Sequence, residues 1–267
     1  MLTIESMAEI PFLRRLDIPA LRRLCDRDIT IRHHRTGTPF RLHAFRHKTY
    51  WFYGAQRERE EMSFIAETVK PGMQVVDVGA HIGYTSAYFA SLVGEFGRVF
   101  AFEPGANNLP YLRANIRGFS NVTVVEKALS NSCGKAKFLL EDLSGQNNSL
   151  VSDAHLHKAV AGAFVDAKVQ TVEVETITMD AFCAKEGVVP HLVKIDAEES
   201  ELAILQGMRQ LMRATRPAII VEMWDNQKAI LELLWSCGYC VCNSDLSPVN
   251  EIKDLRSDNA FAVQGGL

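Results

Sequence analysis

Long apolar stretches are missing from this sequence: no run approaches the roughly 20 residues a membrane-spanning helix needs. A helical membrane protein is thereby excluded. The opening residues, MLTIESMAEIPFLRRLDIP, lack the basic-then-apolar order of a secretory signal, and a cytoplasmic setting is the expectation. Cysteine is sparse, six in 267 residues, which excludes a disulfide scaffold. Cys237, Cys240 and Cys242 have no fourth ligand nearby in sequence, so no zinc site is expected. Internal repeats and low-complexity tracts are absent. So is the overall excess of positive charge that nucleic-acid binding favours, since the formal net charge is −3.

What remains is an ordinary globular composition, 47% hydrophobic and 23% charged, at a length that suits one large domain with an appendage. The charge is unevenly spread. Residues 14–48 hold ten Lys or Arg against Asp17, Asp26 and Asp28, a balance of +7 that leaves −10 elsewhere. The simplest reading of this stretch is a solvated helical face, and the alternatives are contact with an anionic substrate, a membrane surface or nucleic acid. Residues 1–55 thus read as a helical, basic extension, and residues 56–267 as the main domain.

From residue 73 short apolar, β-branched runs alternate with amphipathic segments. MQVVDVG is continuous in the way of a strand buried on both faces. A helix over 82–92, a strand over 97–103, a helix over 107–117 and a strand over 121–128 follow. Two successive βαβ units imply parallel strands with right-handed crossovers. Between about 130 and 180 the pattern lapses into an insertion of strands, KAKFLLE and VQTVEVETITM, around a polar loop. Alternation resumes with a strand over 191–196, a helix over 200–213, a strand over 217–223, a helix over 227–237, the strand YCVCN and a last strand near 259–263. The fold class is therefore α/β: a doubly wound, mostly parallel, Rossmann-like sheet with an inserted strand-loop region.

Two motifs carry chemistry. Asp77-Val-Gly79-Ala80-His81-Ile82-Gly83 stands where the first strand gives way to a helix, and its glycines permit a tight turn. A dinucleotide turn would read Gly-x-Gly-x-x-Gly around a pyrophosphate. Here the spacing is Gly-x-x-x-Gly with an acid before it, and Asp77 would repel a phosphate but suits an ammonium or sulfonium. Glu103-Pro104 closes the second strand, where an acid accepts hydrogen bonds from ribose hydroxyls. Together they suggest an adenosine ligand.

The segments VDVGAHIGYTS, GRVFAFEPGANNLPYLRANI, NVTVVEKALS, TITMDAF, LVKIDAEESELAILQGM and PAIIVEMW resemble, in this order, the FkbM family of class I methyltransferases over residues 56–224. The resemblance implies a seven-stranded sheet, S-adenosylmethionine as methyl donor, and an oxygen of a sugar or natural-product intermediate as acceptor. It puts Asp77, Gly79, Ala80, His81 and Gly83 around the methionine end of the donor, Glu103 and Pro104 at the ribose, and Lys127, Ala128 and Leu129 beside adenine. Family members generally have Asn in place of His81 and Gly in place of Glu199.

A hydroxyl acceptor needs a base to take its proton. Asp196, at the end of the strand after the sheet's reversal point, is the first candidate, with Glu198 and Glu222 beside it. Contact with the donor is the competing role for Asp196. The same three acids would suit magnesium, but chemistry without a metal is expected. Lys194, inside an apolar strand, is expected to pair with a carboxylate. Residues 144–169, with Asn147, Asn148 and Ser149, and the basic stretch, with Arg32, Arg35, Arg41 and Arg46, are expected to shape the pocket of a hydroxylated small-molecule acceptor, whose phosphate or carboxylate, where it has one, the arginines would hold. His155 and His157 are expected to be solvated. The competing readings are an NAD(P)-dependent oxidoreductase of related fold and a non-catalytic module that binds an adenosine cofactor. The sequence leaves the oligomeric state open.

Overall fold

The computed structural model describes residue 23 and residues 25–142, 144–150, 169–223 and 226–265. The chain divides into two units, Met1–Arg57 and Glu58–Leu267. In the first, β1 (Asp28–Arg32) and β2 (Pro39–His43) form an antiparallel hairpin, followed by a short helix, Lys48–Phe52. The sequence suggests a helical face for this basic stretch; its described part is mainly this hairpin. Phe40 and Leu42, two residues apart, are both fully buried, a period that a strand satisfies and a helix does not. Arg41 between them pairs with Asp28 at 2.6 Å.

The second unit is built on β3 (Gln74–Val78), β4 (Arg98–Phe102), β5 (Val122–Val125), an inserted set of β6 (Ala128–Leu129), β7 (Gly134–Glu141), β8 (Ser149–Leu150) and β9 (Val169–Ile177), and then β10 (Leu192–Ile195), β11 (Ala218–Glu222), β12 (Cys240–Asn243), β13 (Pro248–Val249) and β14 (Asn259–Val263). The main sheet runs β13-β12-β14-β11-β10-β3-β4-β5. Its β11-β10-β3-β4-β5 block is parallel, while β14, β12 and β13 pair antiparallel. The sheet grows from β3 towards β5 in one direction and from β10 towards β11 in the other. The switch point therefore lies between β3 and β10, where α/β sheets open their ligand crevice at the carboxyl ends of the strands.

Eight strands are present where the resemblance implies seven. The addition is β13, whose two residues are too few to show a period; the turn at Asn243–Ser247 folds them back onto β12. The strand expected over 121–128 is also divided. It ends at Val125, because Glu126 turns out to Arg113 and Lys127 to Glu175, and Ala128–Leu129 then joins β9 in a separate sheet of order β6-β9-β7-β8.

Two further departures concern helices. Met179, which the sequence assigns to the end of a strand, opens the helix Met179–Glu186, with the Thr178 hydroxyl accepting from the Ala181 N–H at 3.1 Å and Gly187 closing it at φ +65°. The single helix expected over 200–213 is two, Glu201–Gln206 and Arg209–Ala214. The break is at Gly207, where a Cβ would lie 2.2 Å from the Ser130 carbonyl oxygen, and the Asp180 carboxylate accepts from the freed N–H groups of Gln210 and Leu211.

The alternation of strand side chains decides which residues meet. Val76, Val78, Phe100, Phe102, Val193, Ile195, Ile219 and Val221 pack in one large cluster with the helices Met179–Glu186, Glu201–Gln206, Arg209–Ala214 and Gln227–Ser236. The intervening residues, including Asp77 and Lys194, point to the other face. There Phe64 of the helix Arg59–Thr68 stacks on Phe261 of β14 with ring centroids 4.0 Å apart, and Ser86 of the helix Tyr84–Val93 reaches Asp77.

Candidate active site

The turn after β3 packs directly against the exit of β10. Gly79 has φ +80°, and a Cβ on it would stand 1.7 Å from the Asp196 carbonyl oxygen. The sequence argues for glycine here by a ligand's approach; the structure shows that the main chain of β10 occupies the space. Gly83, at φ +85°, precedes the helix Tyr84–Val93 and faces Leu112, whose Cδ1 would be 2.7 Å from a Cβ. The N–H groups of Gly79 and Ala80 both donate to the Phe102 carbonyl, which ties the turn to the end of β4.

His81 adopts φ +50° and donates its N–H to Glu103 Oε2 at 2.8 Å, while its Nε2 lies 3.1 Å from the Ser144 carbonyl. Glu103 is 4% exposed. Its Oε1 accepts from the Gly105 N–H at 2.8 Å and from Asn108 Nδ2 at 3.3 Å. Pro104 beside it is half-buried. Asp77 is fully buried, and its Oδ2 accepts from the Ser86 hydroxyl at 2.5 Å. Its Oδ1 has no hydrogen-bond partner among the described residues.

Across the switch point Asp196, Glu198 and Glu222 converge, each offering an oxygen within 4.8 Å of the others. At that spacing carboxylates share a proton or a cation. The three candidate bases named from sequence are therefore brought together, by the ends of β10 and β11. Lys194 Nζ is 2.8 Å from Asp196 Oδ2 and 4.0 Å from Glu61 Oε1. Glu61 is absent from the sequence reading because it sits in the acidic run REREEM. Its position four residues before Ile65, on the buried face of the helix Arg59–Thr68, is the signal that would have found it.

Other expectations fare differently. The Asn148 amide bonds to Asn107 Oδ1 and to the Glu141 N–H, and Ser149 is buried in β8, so both are committed within the protein rather than to an acceptor. Asn147 Nδ2 lies 3.5 Å from the Ser144 hydroxyl. Glu141 accepts from the N–H groups of Ser144 and Gly145, which pins this loop against Asn107 and Asn108. Arg32, Arg35 and Arg41 bond within their own unit, to the Gly37 carbonyl, the Ala55 carbonyl and Asp28. His155 and His157 lie outside the described residues. Lys127 pairs with Glu175, and Leu129 packs in the large core cluster, so their side chains are engaged away from any adenine.

Burial dominates the electrostatics. It pushes the carboxyls of Glu103 and Glu201 up to about 7 and that of Glu198 to about 8, and it raises Glu61, Glu222 and Asp77 as well. A carboxyl raised in this way holds its proton more tightly in the fold than in the unfolded chain. Its stabilising contribution is present below the ordinary value of 4.5 and is lost as pH rises through the folded value. The ligand-free protein is accordingly expected to melt at a lower temperature at about pH 8.5 than at about pH 6. Thermal denaturation across that range checks this, and a flat or rising melting temperature would contradict the burial of these acids.

A protein-L-isoaspartate O-methyltransferase of Methanococcoides burtonii is 37% identical over 68 residues, 25% of this chain and 32% of that protein. The structure of methyltransferase FkbM from Methylobacillus flagellatus KT superposes with a TM-score of 0.46 at 16% identity, over 94% of this chain and 59% of its own. A SAM-dependent O-methyltransferase from Thermotoga maritima gives 0.44 at 16% identity, over 77% of this chain and 64% of its own. The chain thus spans less than two thirds of the length of each of these relatives. The family model for the methyltransferase FkbM domain matches residues 77–241, more than half of the 267, and the chain belongs to that family.

Proposed function

We propose that this protein transfers a methyl group from S-adenosylmethionine to a hydroxyl oxygen of a small acceptor, a sugar or a natural-product intermediate. The observation that carries the reading is the meeting of Asp196, Glu198 and Glu222 with the Asp77–Gly83 turn at the switch point of the sheet. The donor supplies an electrophilic methyl on a sulfonium. The site's chemistry fits such a cation: it is rich in carboxylates, and Asp77 keeps one fully buried oxygen without a partner among the described residues.

In this reading Asp77 faces the ammonium of the methionine end, and the backbone of Gly79, Ala80, His81 and Gly83 shapes its bed. Glu103, beside Pro104, accepts a ribose hydroxyl. A carboxylate has about four lone-pair sites. Three on Glu103 are taken by protein donors, which leaves one for ribose unless Asn108 gives way. Lys127, Ala128 and Leu129 reach adenine through their main chain, since their side chains are engaged elsewhere or small. Asp196 is the base.

The test has two arms. Calorimetry should show binding of S-adenosylhomocysteine and none of NAD, and label from methyl-tritiated donor should appear in hydroxylated acceptors from a panel of sugars and polyols. NAD binding alone would instead support the oxidoreductase reading. The variant Glu103→Ala should bind S-adenosylhomocysteine more than about tenfold more weakly, a loss of roughly 1.4 kcal/mol. It should also lose about 1–3 kcal/mol of stability, because the His81 and Gly105 N–H groups are left without their acceptor. Unchanged affinity in a folded Glu103→Ala removes the ribose assignment.

A further inference from the structure

Lys194 takes no part in the chemistry so far, yet its setting is unusual. Its side chain is 4% exposed on a strand that is otherwise apolar, and its register partner on β3 is Asp77. A buried ion pair of this kind adds little to stability over apolar residues of the same volume. Its presence therefore asks for another role. Among the three carboxylates that converge at the strand ends, Asp196 alone has a cation within hydrogen-bond reach among the described residues.

We infer that Lys194 is the positioning residue of the acceptor's base: its ammonium, backed by Glu61 on the helix Arg59–Thr68, holds the Asp196 carboxylate in one orientation and keeps it, rather than Glu198 or Glu222, as the group that takes the hydroxyl proton. The inference rests on the proposed methyl transfer to a hydroxyl. In that step the proton passes from the acceptor oxygen to Asp196, which becomes neutral beside Lys194. The oxygen retains the electron pair of its O–H bond and shares it with the methyl carbon, while the carbon–sulfur pair stays on sulfur. Lys194 itself neither gains nor loses a proton.

The groups that face Asp196 among the described residues include Lys194, Glu61, Asp77, Glu198, Glu201 and Glu222. Of these six, five are acids, which favour a neutral Asp196, and the one cation lies within hydrogen-bond distance at 2.8 Å. Burial first, and the neighbouring Asp196 second, raise Glu198 and Glu222, which favours their protonated forms. The Lys194 ammonium is held well above its ordinary value by Asp196 and Glu61 despite its burial.

The experiment is carbon-13 NMR of the full chain labelled at aspartate Cγ, with the Asp196 resonance identified by its loss in Asp196→Asn. In the wild type its titration midpoint should lie at or below the ordinary aspartate value of about 3.9. In Lys194→Met it should move up by about one to three pH units. The acid limb of the kcat profile should move up with it, while KM for the donor stays within about twofold of the wild type. A merely structural Lys194 would move neither. An Asp196 midpoint above about 5 in the wild type overturns the inference even if Lys194→Met fails to fold. So does an unmoved midpoint in a folded Lys194→Met. A wild type with the expected midpoint that methylates no acceptor counts instead against the proposed function.

Discussion

Gly79→Ala is expected to cost the second unit roughly 4 kcal/mol or more of stability, enough to leave little native protein at physiological temperature. Two effects combine. At φ +80° any side chain strains the backbone by about 1 kcal/mol. The larger effect is a collision: the new Cβ would stand 1.7 Å from the Asp196 carbonyl oxygen and 2.8 Å from its carbon. That carbonyl belongs to a main chain already fixed by the bond from the Asp196 N–H to the Val78 carbonyl at 3.1 Å, so β3 and β10 would have to part. At about 2–4 °C per kcal/mol for a unit of this size, the melting temperature should fall by about 10 °C or more. Gly83→Ala has a similar φ but meets only the end of the Leu112 side chain, which can rotate, and about 1–2 kcal/mol is expected. Circular dichroism melts of the two variants give the comparison. A Gly79→Ala that melts within about 2 °C of the wild type would mean that the turn and β10 do not pack in this way.

Asp196→Asn should lower kcat by about 10²–10⁴, the range that loss of a general base produces. It should leave the affinity for S-adenosylhomocysteine within about threefold if the residue serves the acceptor rather than the donor. The substitution also leaves the Lys194 ammonium with Glu61, at 4.0 Å, as its nearest carboxylate among the described residues, so some loss of stability accompanies it. Glu222→Gln is the partner experiment. Burial and the neighbouring Asp196 raise the Glu222 carboxyl, and an amide reproduces a protonated acid, so less than about a tenfold loss is expected. Adding a chelator should leave the wild-type rate unchanged. If Asp196→Asn abolishes donor binding, Asp196 belongs to the donor site. If Glu222→Gln is as damaging as Asp196→Asn, the base has been assigned to the wrong acid.

Much of the molecule can be read from the sequence because its signals are local. The run QVVDV is a strand whatever surrounds it, as its continuous apolar character requires burial on both faces. NAFAV over Asn259–Val263 is assigned in the same way. The glycine turn is legible because Gly79 and Gly83 both adopt positive φ, which few other residues accept. Pairing is not local. The two residues of β13 carry no period, and the break at Gly207 depends on the Ser130 carbonyl, which belongs to a different segment of the chain. Asn148 reads as a free polar group in a loop until Asn107 and Glu141 are seen to consume it.

The sequence by itself determined the kind and order of β3, β4, β10, β11, β12 and β14, the turn after β3, the acid at the end of β4 and the three acids near the ends of β10 and β11. Those properties follow from backbone preference and from the periodicity of apolar side chains over a few residues. Only the tertiary structure decided that β10 lies beside β3, that Gly79 is glycine because the Asp196 carbonyl sits against it, and that Glu61, buried on its helix, stands against Lys194 and Asp196. These contacts join segments more than 100 residues apart, and their register is fixed by the summed packing of both faces of the sheet, which no short stretch of sequence contains.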